Sequence, residues 1–144
     1  MEDQQKLQEM INELNVYKNQ AELLQQQVEA IQASLAEVRM LESTIDDMKD
    51  KSAVEALVPI GAGAFMKGEI TDSSNVVISV GAGVAISKTP EEAKETLADQ
   101  KNDLNVSLDK TLEQLQKVTD VIGQLSPRAE QLMAKVQQQG MMPQ

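Results

Sequence analysis

Two short glycine-rich segments are the part of this sequence most open to a chemical interpretation. Gly61-Ala62-Gly63 and Gly81-Ala82-Gly83 resemble loops that let a protein backbone approach the phosphates of a nucleotide. A dinucleotide fingerprint needs a third glycine that opens a helix, but Ile86 stands at that position, and a Gly-Lys-Ser/Thr phosphate loop is missing. Bends in β-strands are therefore the favoured interpretation of both segments.

A second candidate for chemistry is the acidic cluster of Asp46, Asp47 and Asp50. Such carboxylates can act in acid/base chemistry or bind a cation weakly, but Lys49 and Lys51 lie beside them, which is typical of a solvated helix face. The sequence contains no cysteine and no histidine, so the commonest general base and the commonest transition-metal ligands are missing. We expect no enzyme, no cofactor and no metal site.

Charge and composition restrict the partners of the chain. The formal net charge of -10 repels nucleic-acid phosphates and anionic lipid headgroups, so we expect neither nucleic acid nor a membrane as partner. The N-terminal sequence lacks a signal peptide, and no run reaches the roughly 20 apolar residues of a membrane span. We therefore expect a soluble, intracellular protein that binds other proteins.

The apolar residues that must be buried follow two heptad repeats, which are typical of coiled-coil seams because aromatic residues, at 1%, could hardly fill a compact core. The first repeat has the rows Leu7, Leu14, Ala21, Val28, Leu35 and Met10, Tyr17, Leu24, Ile31, Val38, Ile45, with Glu42 as its polar exception. The second has the rows Leu97, Leu104, Thr111, Val118, Leu125, Leu132 and Lys101, Leu108, Leu115, Ile122, Ala129, Val136.

These repeats predict an N-terminal coiled-coil helix over 2–54 and a C-terminal one over 89–140, followed by a tail over 141–144. Thr89 can cap the second helix, with Pro90 at its first position and Glu92 completing a capping box. Pro127 should kink this helix near Gly123 without breaking it, because the heptad phase continues to Val136.

The two seams can be buried only against each other, so the helices should fold back antiparallel. In that arrangement Glu42 and Lys101 fall in neighbouring layers near the bend. We predict that they interact and that the pair fixes the register of the helices more than it stabilises them.

Between the helices, residues 55–88 are rich in β-branched residues and glycines, and Asp72-Ser73-Ser74-Asn75 predicts a turn. The segment Ile60-Gly61-Ala62-Gly63-Ala64 recurs as Val80-Gly81-Ala82-Gly83-Val84, which predicts two similar β-hairpins. Two helices can hardly cover their apolar faces and open edges. We therefore predict obligate oligomerisation through the inserts, closed into a shared β-barrel.

Apolar residues outside the two seams lie near the chain ends. They are Ile11, Met133, Met1, Met141 and Met142. Methionine adapts to varied shapes, so this set suits a surface that accepts many partners. A frayed, disordered tail at Met141 and Met142 and ordinary seam packing of Met10 and Val136 are equally good interpretations.

Long matching helices on either side of two hairpins resemble the prefoldin family, and two hairpins rather than one resemble its alpha class, most of all the archaeal members. The resemblance covers essentially the whole chain. Its most specific segments run from Val58-Pro59-Ile60-Gly61 to Phe65-Met66-Lys67-Gly68, and over 76–84.

This resemblance implies a single prefoldin-type domain over 1–144, α+β but mainly α: a long antiparallel two-helix coiled coil (an α-hairpin) with two β-hairpins at the bend, assembling into an oligomeric β-barrel. It implies a cytoplasmic, ATP-independent holdase. The complex would be a hetero-hexamer of two alpha subunits and four prefoldin beta subunits, and it would pass unfolded client proteins to a group II chaperonin. The implied client-binding tip comprises Leu7, Met10, Ile11, Leu14, Leu132, Met133 and Val136, and the implied oligomer interface comprises Ile60, Phe65, Ile70, Val77, Ile78, Val80 and Ile86.

Two other functions remain open on the sequence. The chain could be a structural coiled-coil tether or adaptor without holdase activity, or an enzyme that uses the glycine-rich segments. Suppression of aggregation without nucleotide would separate the holdase from the tether. Nucleotide binding that depends on Gly81 or Gly83 would favour the enzyme.

Overall fold

A computed structural model of the chain describes residues 2–141, the last of them by its backbone alone. The predictions on Met1, on the side chains of Met141 and Met142 and on the end of the tail lie outside the described part. The elements in chain order are α1 Glu2–Met48, β1 Val54–Gly61, β2 Ala64–Ile70, β3 Val76–Gly81, β4 Val84–Lys88 and α2 Pro90–Met141. The predicted mainly α architecture, two long helices with two β-hairpins inserted between them, is confirmed.

Contacts divide the chain into two compact units. The terminal unit consists of Met1–Ala33 with Val106–Gln144, and the hairpin unit of Ser34–Asn105. In the terminal unit the two chain ends meet, because Asp3 Oδ2 lies 3.6 Å from Lys135 Nζ and accepts a hydrogen bond from Gln139 at 3.2 Å. The two helix segments of this unit are therefore antiparallel.

Heptad positions supply the buried residues of the terminal unit. Leu14, Val28, Thr111 and Ala129 are each less than a tenth exposed, and all four belong to the predicted rows. The hydroxyl of Thr111 donates a hydrogen bond to the carbonyl of Ser107 at 2.8 Å. This bond satisfies the one polar side chain among them, so that it can be buried in an apolar seam.

The hairpin unit has its own apolar cluster. Val38, Ile45, Ala93 and Leu97 form it, and Val76 and Ile78 of β3 together with Leu104 pack against it. Heptad spacing predicted three of the four, but Ala93 lies outside the rows although it is fully buried. One face of β3 thus rests on the helix pair.

The pair of Glu42 and Lys101 forms as predicted. Lys101 Nζ lies 3.1 Å from Glu42 Oε1 and donates a hydrogen bond to Oε2 at 3.2 Å. The two side chains are only a quarter to a third exposed. A shift of one helix segment along the other would separate the two charges and leave each of them uncompensated beside the seam. The pair therefore favours one register.

Helix α1 ends at Met48, earlier than the expected boundary at 54. Asp50 adopts a left-handed conformation with φ of +66°, and the amide of Lys51 bonds back to the carbonyl of Met48 at 3.2 Å. A left-handed residue of this kind closes the last turn of a helix, and aspartate tolerates it better than most residues. The sequence between Met48 and β1 therefore forms a turn.

Each hairpin turns at its glycine-rich segment. Ala62-Gly63 and Ala82-Gly83 are two-residue loops, and all four residues have φ between +51° and +78°. This left-handed pair matches the twist of the strands that it joins. The strand register also shifts at Gly61 and Gly81, as in a β-bulge. These segments are therefore hairpin turns and do not open a helix. This agrees with the sequence, which favoured bends in β-strands over phosphate-binding loops.

Helix α2 begins at the predicted cap and passes through Pro127 without a break. Thr89 Oγ1 accepts a hydrogen bond from the amide of Glu92 at 3.2 Å, and its hydroxyl donates to the Glu92 carboxylate at 3.0 Å. The predicted cap is therefore present. The predicted kink near Gly123 stays a prediction.

Within residues 2–141, neither helix has a stretch that is both long and apolar enough to cross a membrane.

Removal of the cap tests how far α2 depends on it. Thr89→Ala takes away the acceptor for the Glu92 amide and should lower the free energy of unfolding by about 1 kcal/mol. Urea unfolding followed by circular dichroism measures this change. Thr89→Ser keeps the hydroxyl and is the matched control; equal stability of the alanine and serine variants would show that the cap contributes nothing.

Candidate functional site

The first candidate surface lies on the hairpins, which leave most of their large apolar side chains in solvent. We call this set the hairpin surface. It comprises Leu57, Val58, Ile60, Phe65, Met66, Ile70, Val77, Val80, Val84 and Ile86, all between 39% and 69% exposed. So many exposed large apolar side chains on two short hairpins are uncommon on a monomeric protein and mark an interaction site.

The first hairpin is apolar on both of its faces. Val58 lies opposite Met66 in the antiparallel register, and Pro59 lies opposite Phe65, so the two pairs point to opposite sides. In the described chain β1 pairs only with β2 and β3 only with β4, which leaves the outer edge of every strand without a partner. An isolated two-stranded sheet is marginally stable in water, so the open edges of these hairpins are suited to pairing with further strands.

Six of the seven residues expected at the oligomer interface lie on the hairpin surface. They are Ile60, Phe65, Ile70, Val77, Val80 and Ile86. The seventh, Ile78, is half-buried and packs on the helix cluster of its own chain. Its cross-strand neighbour Ile86 lies on the same face and remains 43% exposed.

The sequence-based prediction omitted Leu57, Val58, Met66 and Val84 from this surface. A signal for three of them was present, since Leu57-Val58-Pro59-Ile60 is a continuous apolar run and Met66 follows Phe65. Such runs, without polar alternation, are typical of strands buried on both faces.

The second candidate surface lies where the chain ends meet, and we call the seven residues expected there the end cluster. The structure brings three of them together: Ile11, Leu14 and Met133 line one groove of about 220 Å³ in the terminal unit. Met133 is 41% exposed, and Ile11 is half-buried, while Leu14 is 7% exposed and forms part of the seam. Leu7, Met10, Leu132 and Val136 are half-buried.

Charged side chains near the start of α2 are paired with α1. The Asp46 carboxylate accepts a hydrogen bond from Lys94, which raises the pKa of that lysine. Glu91 lies 3.2 Å from Lys49, and its own backbone amide, followed by Lys49, lowers the pKa of its carboxyl group. Of the predicted acidic cluster, Asp46 is thus paired with Lys94 on an exposed helix face, whereas Asp50 lies beyond the end of α1.

The candidate residues on both surfaces are apolar. In the described range, residues 2–141, His, Cys, Asp and Glu side chains form no group of three that could hold a metal ion. The hairpin surface can associate with apolar strands, and the groove of the end cluster can accept an apolar side chain. Both arrangements are suited to binding other polypeptides.

Known proteins are similar to this chain in sequence and fold. The family model described as Prefoldin subunit matches residues 17–139. Prefoldin subunit alpha of Methanobrevibacter smithii is 52% identical over 137 residues, which cover 95% of this chain and 94% of that protein. Prefoldin subunit alpha of Pyrococcus horikoshii is 31% identical over 136 residues, covering 93% and 92%.

Solved structures are similar as well. A chain of the filamentous PFD from Methanocaldococcus jannaschii, solved by cryo-EM, has a TM-score of 0.55 at 25% identity, with 86% of this chain and 98% of that one covered. The crystal structure of the prefoldin beta subunit from Thermococcus strain KS-1 has a TM-score of 0.60 at 17% identity, with 88% and 90% covered. The second likeness shows the fold alone.

A charge on the hairpin surface should prevent association. Val77 is 69% exposed on β3, and Val77→Asp would place a carboxylate where association with another strand would have to exclude water. We expect the native mass of the assembly that contains this chain to fall to that of the single chain. The helical circular dichroism signal should be unchanged. Val106→Asp, on an exposed valine of α2, is the matched control; loss of assembly in both variants, or in neither, would contradict the assignment.

Proposed function

This chain belongs to the prefoldin family, and from that premise we propose that it is the alpha subunit of an ATP-independent holdase. Family membership implies the role of a chaperone subunit and not of an enzyme. In the proposal, residues 1–144 act as one prefoldin-type domain, and two such chains join four beta subunits in a hexamer. The complex works in the cytoplasm, captures unfolded proteins and transfers them to a group II chaperonin.

The observation that carries the proposal is the pair of Ile11 and Met133 on one groove. A half-buried isoleucine and an exposed methionine form a small apolar patch at the ends of the chain. Burying one or two side chains of a client there gives weak binding, because each contributes only about 1.5–3 kcal/mol. Weak binding at one site allows a client to leave without ATP hydrolysis.

Several copies of this patch would make the total binding strong. When one chain segment of a client is bound, neighbouring patches act at a high effective concentration, and avidity can exceed the single-site affinity about 10²-fold or more. The hairpin surface supports this step, since its exposed apolar side chains and open strand edges are suited to association with other subunits. Transfer to a chaperonin would then proceed by stepwise loss of single contacts.

The end cluster can be tested without disturbing assembly. In the complex with beta subunits, Ile11→Ser together with Met133→Ser removes most of the apolar patch. Suppression of the aggregation of a heat-unfolded test enzyme, measured by light scattering without nucleotide, should then require about fivefold more complex, because each client loses apolar contact at every patch. Native mass should be unchanged.

Val16→Ser together with Val106→Ser is the control, because both valines are about half exposed on the helices and lie outside the groove. Equal suppression by the end-cluster variant and the unmodified complex would remove the end cluster from client binding. Absence of suppression by the unmodified complex would favour a structural tether instead.

A further inference from the structure

The hairpin unit carries a groove along one side of its helix pair. Its first part, of about 490 Å³, has an apolar floor of Val38, Leu41, Leu97 and Leu104. A second part, of about 210 Å³, begins at the same Leu41 and reaches the bases of the hairpins. Leu41 lines both parts, so the two depressions adjoin at this residue.

The groove follows a single face of α1. The α1 residues that line its two parts recur at steps of three and four, as side chains on one helix face do. They are Ser34, Glu37, Val38, Leu41, Thr44, Ile45 and Met48. This face spans about 21 Å at 1.5 Å per residue, which is the length of a helical segment of about 14 residues.

Every ionisable side chain on the lining of this groove is acidic. Glu37 and Asp103 lie at the first part and Asp72 at the second, while no lysine or arginine lines either part. Within the described part of the chain, none of the three carboxylates forms an ion pair. Hydrogen bonds from the hydroxyl and the amide of Ser74 lower the pKa of Asp72, so this group is charged at neutral pH.

We propose that this acidic groove binds a cationic amphipathic segment of a partner protein, with apolar side chains on the floor and lysine or arginine side chains beside Glu37, Asp103 and Asp72. A helix with one apolar stripe fits a straight apolar groove, and charges at the rim select partners of opposite sign. A second copy of this chain is a poor occupant, because its net charge is -10. The same charge disfavours nucleic acids and anionic membranes.

This site goes beyond the proposed function. The groove belongs to the hairpin unit and is made of residues other than the end cluster. A negative result for the groove would therefore leave the proposal of client binding at the end cluster unaffected. It also differs in selectivity. The end-cluster groove ranks clients by apolar surface, whereas the acidic groove distinguishes cationic from anionic segments.

Three labelled peptides of 14 residues test the proposal. The first has leucines at helical spacing with lysines on the other faces, the second has glutamate for every lysine, and the third has the composition of the first in an order without an apolar stripe. Fluorescence anisotropy would measure their binding to the full chain, alone and assembled with beta subunits. We expect the first peptide to bind at least about tenfold more tightly than the other two, in both states and less tightly at high salt.

Variants locate the binding. Glu37→Gln together with Asp103→Asn should weaken the first peptide about fivefold, since each exposed charge pair contributes a few tenths to 1 kcal/mol. Glu29→Gln together with Asp109→Asn changes the net charge equally at exposed carboxylates elsewhere, and should leave binding unchanged. The end-cluster variant should also bind the peptide normally.

Several results would overturn the proposal. They are equal affinity for the lysine and glutamate peptides, equal losses in the groove variant and its charge control, and loss of binding only in the end-cluster variant. Binding to the isolated chain but not to the assembled complex would also overturn it, because a beta subunit would then cover the groove.

Discussion

Burial of the heptad seams between antiparallel helix segments is the interaction on which the rest of the structure depends. Helices α1 and α2 have 47 and 52 residues, and most of their surface is polar. A helix with one narrow apolar stripe is not stable alone in water, so each helix needs the other. No large side chain of the described chain is completely buried, as expected when only two helices cover a seam. Stability is therefore spread along the seam and not concentrated in one core.

A thin seam leaves apolar surface available for binding. The same two-helix pairing that buries Leu14 leaves Met133 41% exposed on the adjacent groove. At the hairpins, Val76 and Ile78 pack against the helix cluster, whereas the ten residues of the hairpin surface are 39% to 69% exposed. A globular core would have buried these side chains. The architecture thus keeps its binding surfaces because it has no interior large enough to bury them.

The sequence predicted the features that depend on period and local chemistry. Heptad spacing identified Leu14, Val28 and Leu35 as buried, and the recurrence of the segment 60–64 as 80–84 indicated the two hairpins. It even paired Glu42 with Lys101, because two polar exceptions in facing seams have few other partners. The heptad spacing and the hairpin segment both recur along the chain, so several residues indicate each of them.

Features that depend on a single residue or on three-dimensional proximity were not predictable in this way. The left-handed conformation of Asp50 ends α1, although aspartate also occurs within helices. Ala93 is small enough to be covered by neighbouring side chains, so its burial follows from packing and not from the heptad. The acidic groove joins residues near 37, 72 and 103, which no spacing rule connects.

A cross-link between the two chain ends tests the antiparallel pairing most directly. The sequence has no cysteine, so Asp3→Cys with Lys135→Cys introduces a single pair at positions whose side chains lie 3.6 Å apart. The antiparallel account predicts that a short bismaleimide links the two cysteines within one chain, in a yield that does not depend on protein concentration. Products that join two chains and increase with concentration would contradict it, because the seams would then be buried between neighbouring molecules.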